Sequence, residues 1–551
     1  MRKLVSAVLF PSLLLALLAS GCATDKEPVQ DPGTPATPPG DGAVTGDEDD
    51  LTSLTARGRT LKFAGVVFVD PSTSEAGIIA TIRKQTQSAF GALREANIGT
   101  NSRELKDVDP RTFVKTPVTV VDTSVPGDVG VKRLRVSYTF TDAAVVPVPM
   151  ATRSGIPLAV LNPNYDAQND RVFNECTTQD AHATEFRNGS LWYVFDPSLA
   201  SCRTAIADEQ QLVDAARTAL GDSKTKVSKV EAERLYIPST FSLRAGPNNK
   251  KVSYPEYDRL FSGGVEKDKL VIGMVSGMMA DWAAGEKHSD YEDQGYAMWF
   301  GGIREIFAAR PGFKLVKTEP AEDLTRFTVG TTNVTAKDFE ELIAWELDSK
   351  NPTGITYANR NQLRAAVAAK LARHWVTFEA PVKVTLNGVS KDFTIKLQTY
   401  FGAESDSTPH KRAIKTSDVF VYNGHSYIGY GPLDPSRFTK ADFPSSYQVL
   451  MVNGCVSYNY YEKDYFPLKE GGTKNLELVT NGLESWVNES GQAMGRFVGA
   501  FIDGKLNPYT TILEAAQFEG YGYSWGQDAL RVVDGELDNK FSPARVRLVV
   551  E

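Results

Sequence analysis

Two apolar stretches of the sequence end in the same dipeptide, followed by a residue able to do acid–base or nucleophilic chemistry. Residues 418–422 run into Asn423-Gly424-His425-Ser426, and residues 447–452 run into Asn453-Gly454-Cys455. A thiol becomes an effective nucleophile when an imidazole lies close enough to take its proton, and both groups need rigid supports. In open α/β sheets, sites gather beyond the carboxyl ends of the strands. If the two stretches are parallel neighbours, His425 and Cys455 leave the sheet on one edge, side by side. Gly424 and Gly454 let the backbone turn sharply and approach a substrate closely.

These two blocks resemble those of the caspase-like cysteine peptidases, the group that holds caspases, legumains and gingipains. The shared pattern is a hydrophobic strand ending in His-Gly, then a second ending in a small residue and Cys. The resemblance covers residues 270–533, with its core around His425 and Cys455, and gingipain-like enzymes are nearest. The run Trp525-Gly526-Gln527-Asp528-Ala529-Leu530-Arg531 is similar to a Gly-Asp-Pro-x-Leu run late in many of those domains.

The resemblance implies hydrolysis of a protein or peptide substrate by acyl transfer. Cys455 attacks the carbonyl as a thiolate, and His425 protonates the leaving amine and then activates water. Backbone N–H groups of Cys455 and Ser426 would hold the oxyanion, with Gly424 and Gly454 shaping the support. One departure stands out: Ser426 occupies the place of a glycine in the family, keeping the N–H but adding a side chain. A second reading keeps the fold and gives up the chemistry: an inactive envelope lipoprotein that uses a caspase-like domain for binding.

Other arrangements fit less well. Gly424-His425-Ser426 is similar to a lipase nucleophile elbow, but that turn needs Gly two residues after the serine, where Ile428 stands, and a later histidine, which the chain lacks. No zinc motif is present. No cofactor is expected, although calcium takes oxygen ligands of the kind found in the acidic run 47–50 and in the cluster His288, Asp290, Glu292 and Asp293. Both read first as solvated loops. His410 reads as a surface loop residue, and His374 as the end of a helix. Tyr458, Tyr460, Tyr461 and Tyr465 could wall a groove or pack a core.

The elements that would carry the pair follow from periodicity. Residues 270–275 read as a buried strand and 298–308 as a helix. Leu363, Val367, Leu371 and Trp375 mark one helical face. Apolar alternation on either side of Asn387-Gly388 reads as a β-hairpin. Strands are expected at 419–422, 447–452 and 476–479, and a helix at 492–502. Helices alternating with short, unbroken apolar strands imply an α/β domain over 254–551, with a mostly parallel sheet flanked by helices. A smaller α/β domain is expected over 58–245, with a helix marked by Ile78, Ile82, Phe90 and Leu93 and strands that include 191–195.

The first residues address the chain. Arg2 and Lys3 precede an apolar run over 4–18, then Ala19-Ser20-Gly21-Cys22. Such a segment is an export signal and is too short for a spanning helix. The run ending in Cys22 resembles a bacterial lipobox, which implies cleavage after residue 21, a lipid on Cys22 and a membrane tether. Ala23 in the next position implies the outer membrane. Residues 23–57, rich in Pro, Gly and Asp, read as a flexible tether. The net charge of -8 argues against a nucleic-acid partner. Of four cysteines, Cys176 and Cys202 could form a disulfide in an oxidising compartment, leaving Cys455 over.

Overall fold

The computed structural model describes residues 51–178, 181–221, 223–245, 252–279, 290–335, 356, 359–485, 487–517 and 529–551. The export signal, Cys22, the acidic run, His288 and residues 525–528 lie outside the described residues.

Alternating apolar residues along Ala56–Val69 (β1) bury one face of a long strand against α1 (Glu75–Gln87) and α2 (Ala89–Glu95). Further strands are β2 (Val114–Val121), β3 (Val131–Pro147), β4 (Gly155–Leu161), β5 (Lys226–Ser228) and β6 (Tyr236–Arg244). They lie in the order β4-β6-β1-β3-β2-β5, with Gly99–Thr100 added beside β3. Residues 191–195 depart from expectation. Leu191–Tyr193 is a short 3-10 turn buried in the core, because its apolar residues pack on all sides instead of alternating across a sheet. Cys176 and Cys202 are joined in a disulfide across 26 positions.

The second sheet carries β7 (Lys269–Gly277), β8 (Lys314–Glu319), β9 (Trp375–Leu386), β10 (Val389–Gly402), β11 (Val419–Asn423), β12 (Gln448–Asn453), β13 (Leu476–Asn481) and β14 (Arg531–Asp534). Their order is β14-β13-β12-β11-β7-β10-β9-β8. Only the five central strands, β13 through β10, run parallel. The sheet is therefore mixed, which corrects the expectation of a mostly parallel one. The reason is partly local: Asn387 and Gly388 both take positive φ, 49° and 86°, in a two-residue turn that can only join antiparallel strands. Trp375 opens β9; the preceding helix stops at Leu371.

The central strands are covered on both faces, which is why their sequences read as unbroken apolar runs. Val419, Val421, Val449, Met451 and Val479 face the core shared with α3 (Gln294–Ala309) and α4 (Val487–Ile502). Phe420, Tyr422, Leu450, Val452 and Leu478 belong to the same core as Phe90, Trp192 and Tyr193 of the first unit. The two expected domains thus share a core. The tether also ends earlier than expected: Leu51–Thr52 already pairs with β14, and β1 begins at Ala56. Among the described residues no helix is long and apolar enough to cross a membrane.

One buried acid at the amino end of this sheet carries a measurable consequence. Burial pushes the Glu477 carboxyl up to about 7, against hydrogen bonds from the Tyr447 and Tyr509 hydroxyls. A carboxyl raised in the folded state contributes stability below its unfolded value of 4.5 that is lost as pH rises through about 7. Urea denaturation between about pH 5 and 8 is expected to show a fall of about 3 kcal/mol. Glu477→Gln should remove that fall, and parallel pH profiles for the two chains would refute the assignment.

Candidate active site

The strands β11 and β12 are parallel neighbours, and their last residues, Asn423 and Asn453, are in register. His425 and Cys455 each follow two residues later, so their loops leave the same edge side by side. The loops touch: a Cβ on Gly454 would lie 3.2 Å from the Gly424 carbonyl oxygen and 3.6 Å from the Ser426 nitrogen. The neighbouring β13 also ends in Asn-Gly, at Asn481-Gly482, a repetition visible in the sequence and not used there. The three asparagines form a ladder across the strand ends. Asn481 Nδ2 donates to Asn453 Oδ1 at 2.9 Å, and Asn453 Nδ2 donates to Asn423 Oδ1 at 2.8 Å. In-register amides of this kind hold the carboxyl edge rigid beneath both loops.

Backbone strain is concentrated where the two loops begin. Tyr427 and Ile428, just past Ser426, have φ of 49° and 53°, and Val456, next to Cys455, has 47°. Left-handed φ is a true outlier for β-branched residues, costs on the order of 1–3 kcal/mol each, and persists only where the surroundings force it. Here Val456 N–H donates to Leu483 O at 3.0 Å, and Gly429 N–H donates to Ser426 O at 2.8 Å. Ser426 itself has φ of -83°, so its position does not require the glycine of the family.

The first unit grips both loops through residues 100–104. Arg103 Nη2 donates to the Gly429 carbonyl at 2.8 Å, and the Tyr430 hydroxyl donates to Glu104 Oε1 at 2.7 Å. Beyond Cys455, Asn459 accepts from Glu104 N–H at 2.9 Å and donates to Ser102 O at 2.7 Å. A cavity of about 340 Å³ opens between these groups, lined among others by Arg103, Glu104, Tyr430, Asn459 and Tyr460. Neither His425 nor Cys455 lines it.

The pair is closed off from solvent: Cys455 is 4% exposed and His425 6%. Cys455 is disulfide-bonded in this structure, and its partner lies outside the described residues. The expected leftover thiol is therefore not in its thiol form here. His425 donates its backbone N–H to Glu404 Oε1 at 2.9 Å, and its ring packs edge-on against Tyr427 at 5.6 Å. Glu404, two residues past the end of β10, was not singled out from sequence, because only the sheet order brings it beside residue 425.

Several other residues are placed differently from expectation, or in only one of two expected ways. His410 lies in the helix Thr408–Thr416 and is 1% exposed, not in a surface loop. Burial pushes its imidazole down to about 4, so it is neutral at pH 7. Tyr458, Tyr460, Tyr461 and Tyr465 are core residues. Asp293 caps α3 through Gly295 N–H at 2.7 Å, and Asp290 pairs with Arg373 at 3.0 Å. Among the described residues no group of three or more His, Cys, Asp or Glu is placed to hold a metal. His374 Nδ1 donates to the Ala372 carbonyl oxygen at 2.9 Å, just past a helix end.

Fold and site together define an α/β protein with two mixed sheets, whose parallel core presents a histidine and a cysteine on adjacent loops. No family model matches the chain, and neither a curated protein nor a solved structure is similar to it.

Proposed function

We propose that the chain is a cysteine peptidase of caspase-like kind, anchored by a lipid on Cys22 at the outer membrane and acting on protein or peptide substrates. The observation that carries this reading is the register of Asn423 with Asn453, which sets His425 and Cys455 on neighbouring loops at the carboxyl edge of the parallel central strands of a mixed sheet. The strained residues close after each of them, Tyr427 and Ile428 on one loop and Val456 on the other, support it, since strain of this kind collects at functional sites. In the working form Cys455 is a thiolate, His425 its proton partner, and the Cys455 and Ser426 N–H groups the oxyanion donors. With Cys22 lipidated and Cys176 bridged to Cys202, no second thiol of the chain remains to oxidise Cys455, so the anchored protein carries it as a thiol.

The test uses the full-length chain carrying Cys22→Ser. Peptidyl acyloxymethyl ketones with Arg, Asp or Asn in the first position should alkylate Cys455, and Cys455→Ala should abolish the reaction. Alkylation of Cys455 only after unfolding would overturn the peptidase reading. The burial of Cys455 favours a second reading, an inactive lipoprotein that binds through this fold, and that outcome would select it.

A further inference from the structure

We propose that Glu404 is the positioning residue for His425, the buried carboxylate that fixes the backbone from which the imidazole reaches Cys455. The proposal rests on the peptidase reading above. Glu404 is 2% exposed. Its Oε1 accepts the His425 backbone N–H at 2.9 Å and lies 2.6 Å from the Tyr422 hydroxyl. That hydroxyl is also 2.9 Å from the His425 carbonyl oxygen, and its single proton is shared between the two acceptors. One carboxylate and one phenol therefore hold both polar backbone groups of residue 425.

The chain leaves room for this carboxylate at some cost. A Cβ on Gly277 would fall 1.7 Å from Glu404 Oε1, and a Cβ on Gly424 1.9 Å from it. The ends of β7 and β11 must both carry glycine for the acid to fit between them. Burying a carboxylate is unfavourable unless it is hydrogen-bonded, and a neutral or apolar residue would satisfy a purely structural need more cheaply. Its location, one strand beyond β7 and directly beneath the His425 loop, is where a rigid orienting group would act. Tyr427 packs edge-on against the imidazole at 5.6 Å, and the Tyr461 hydroxyl donates to Ser426 O at 3.0 Å. Small displacements of a proton-transfer group from its working geometry can cost about 10²-fold in rate.

The test measures the rate of Cys455 alkylation in the full-length Cys22→Ser chain, alongside His425→Ala. Glu404→Ala is expected to slow the reaction about 10-fold or more, while Glu404→Gln, which keeps an acceptor oxygen, should stay within about threefold of the parent. Rescue by glutamine is the signature of positioning through hydrogen bonds. Should Glu404→Ala fail to fold, Tyr422→Phe carries the test: it keeps the carboxylate, removes the shared proton, and should slow alkylation several-fold. A parent-like rate in Glu404→Ala, or in Tyr422→Phe where the alanine variant does not fold, overturns the proposal while slow His425→Ala leaves the peptidase reading standing. A fast His425→Ala overturns the peptidase reading itself.

Discussion

Replacing His425 by alanine is expected to slow alkylation of Cys455 by about 10²-fold or more in the full-length Cys22→Ser chain at neutral pH. The reason lies in the state of the sulfur. Only the thiolate attacks an electrophile, and in a largely apolar setting a thiol holds its proton. Cys455 sits among Leu450, Val452, Val456 and Tyr461 in one apolar core. On the peptidase reading proposed above, His425, on the adjacent in-register loop, takes that proton. A hundredfold loss corresponds to about 2.7 kcal/mol at the transition state. The measurement is a second-order alkylation rate followed by peptide mass, which separates Cys455 from the bridged Cys176 and Cys202. Equal rates with and without the imidazole would mean that the two residues do not act together.

Arg94→Met is expected to destabilise the fold by about 3 kcal/mol, the largest single effect on stability foreseen here. Arg94 lies in the last turn of α2 and is almost fully buried. Its Nε lies 3.2 Å from Glu484, its Nη2 donates to Glu95 at 2.7 Å, and its guanidinium stacks on Tyr193 at 4.6 Å. Burial works against its charge, yet Glu484 and Glu95 together hold its pKa above the ordinary arginine value. Glu484 follows Gly482, whose backbone meets Gly99 so closely that a Cβ on Gly99 would lie 2.5 Å from the Gly482 carbonyl oxygen. The ion pair thus joins the first unit to the sheet right behind the candidate site. Removing the arginine alone leaves two largely buried carboxylates uncompensated, whereas removing both sides does not. Urea denaturation should accordingly show most of the loss recovered in Arg94→Met combined with Glu484→Met. A single-variant loss below about 1 kcal/mol would mean that the pair is effectively solvated.

Much of the second unit is legible in the sequence because its signals are local. Unbroken apolar runs marked β7, β11, β12 and β13, and Asn387-Gly388 marked the hairpin of β9 and β10, since a type of turn that needs two positive φ values names its own residues. Where local signals conflict with packing, the packing wins. Trp375 continues the helical spacing of Leu363, Val367 and Leu371, yet it opens a strand: the helix ends at Leu371, Ala372 leaves helical geometry with ψ of 136°, and Arg373 has φ of 62°. Residues 191–195 look like a strand because they are apolar, whereas Leu191–Tyr193 form a 3-10 turn whose side chains are buried in the core.

The sequence by itself determined the chemistry-bearing residues and their immediate frame: His425 and Cys455, each two places beyond a strand that ends in Asn. Period and turn chemistry act within a few residues, so they survive in the linear text. Only the tertiary structure decided that β11 and β12 are adjacent and in register, that Glu404 lies under His425, that Cys455 is buried and oxidised, and that residues 100–104 grip both loops. Those facts depend on contacts between distant parts of the chain, such as Arg103 with Gly429 across 326 positions and Glu104 with Asn459 across 355. Contacts at that separation form only when the two units condense on one core, and no local preference along the chain encodes them.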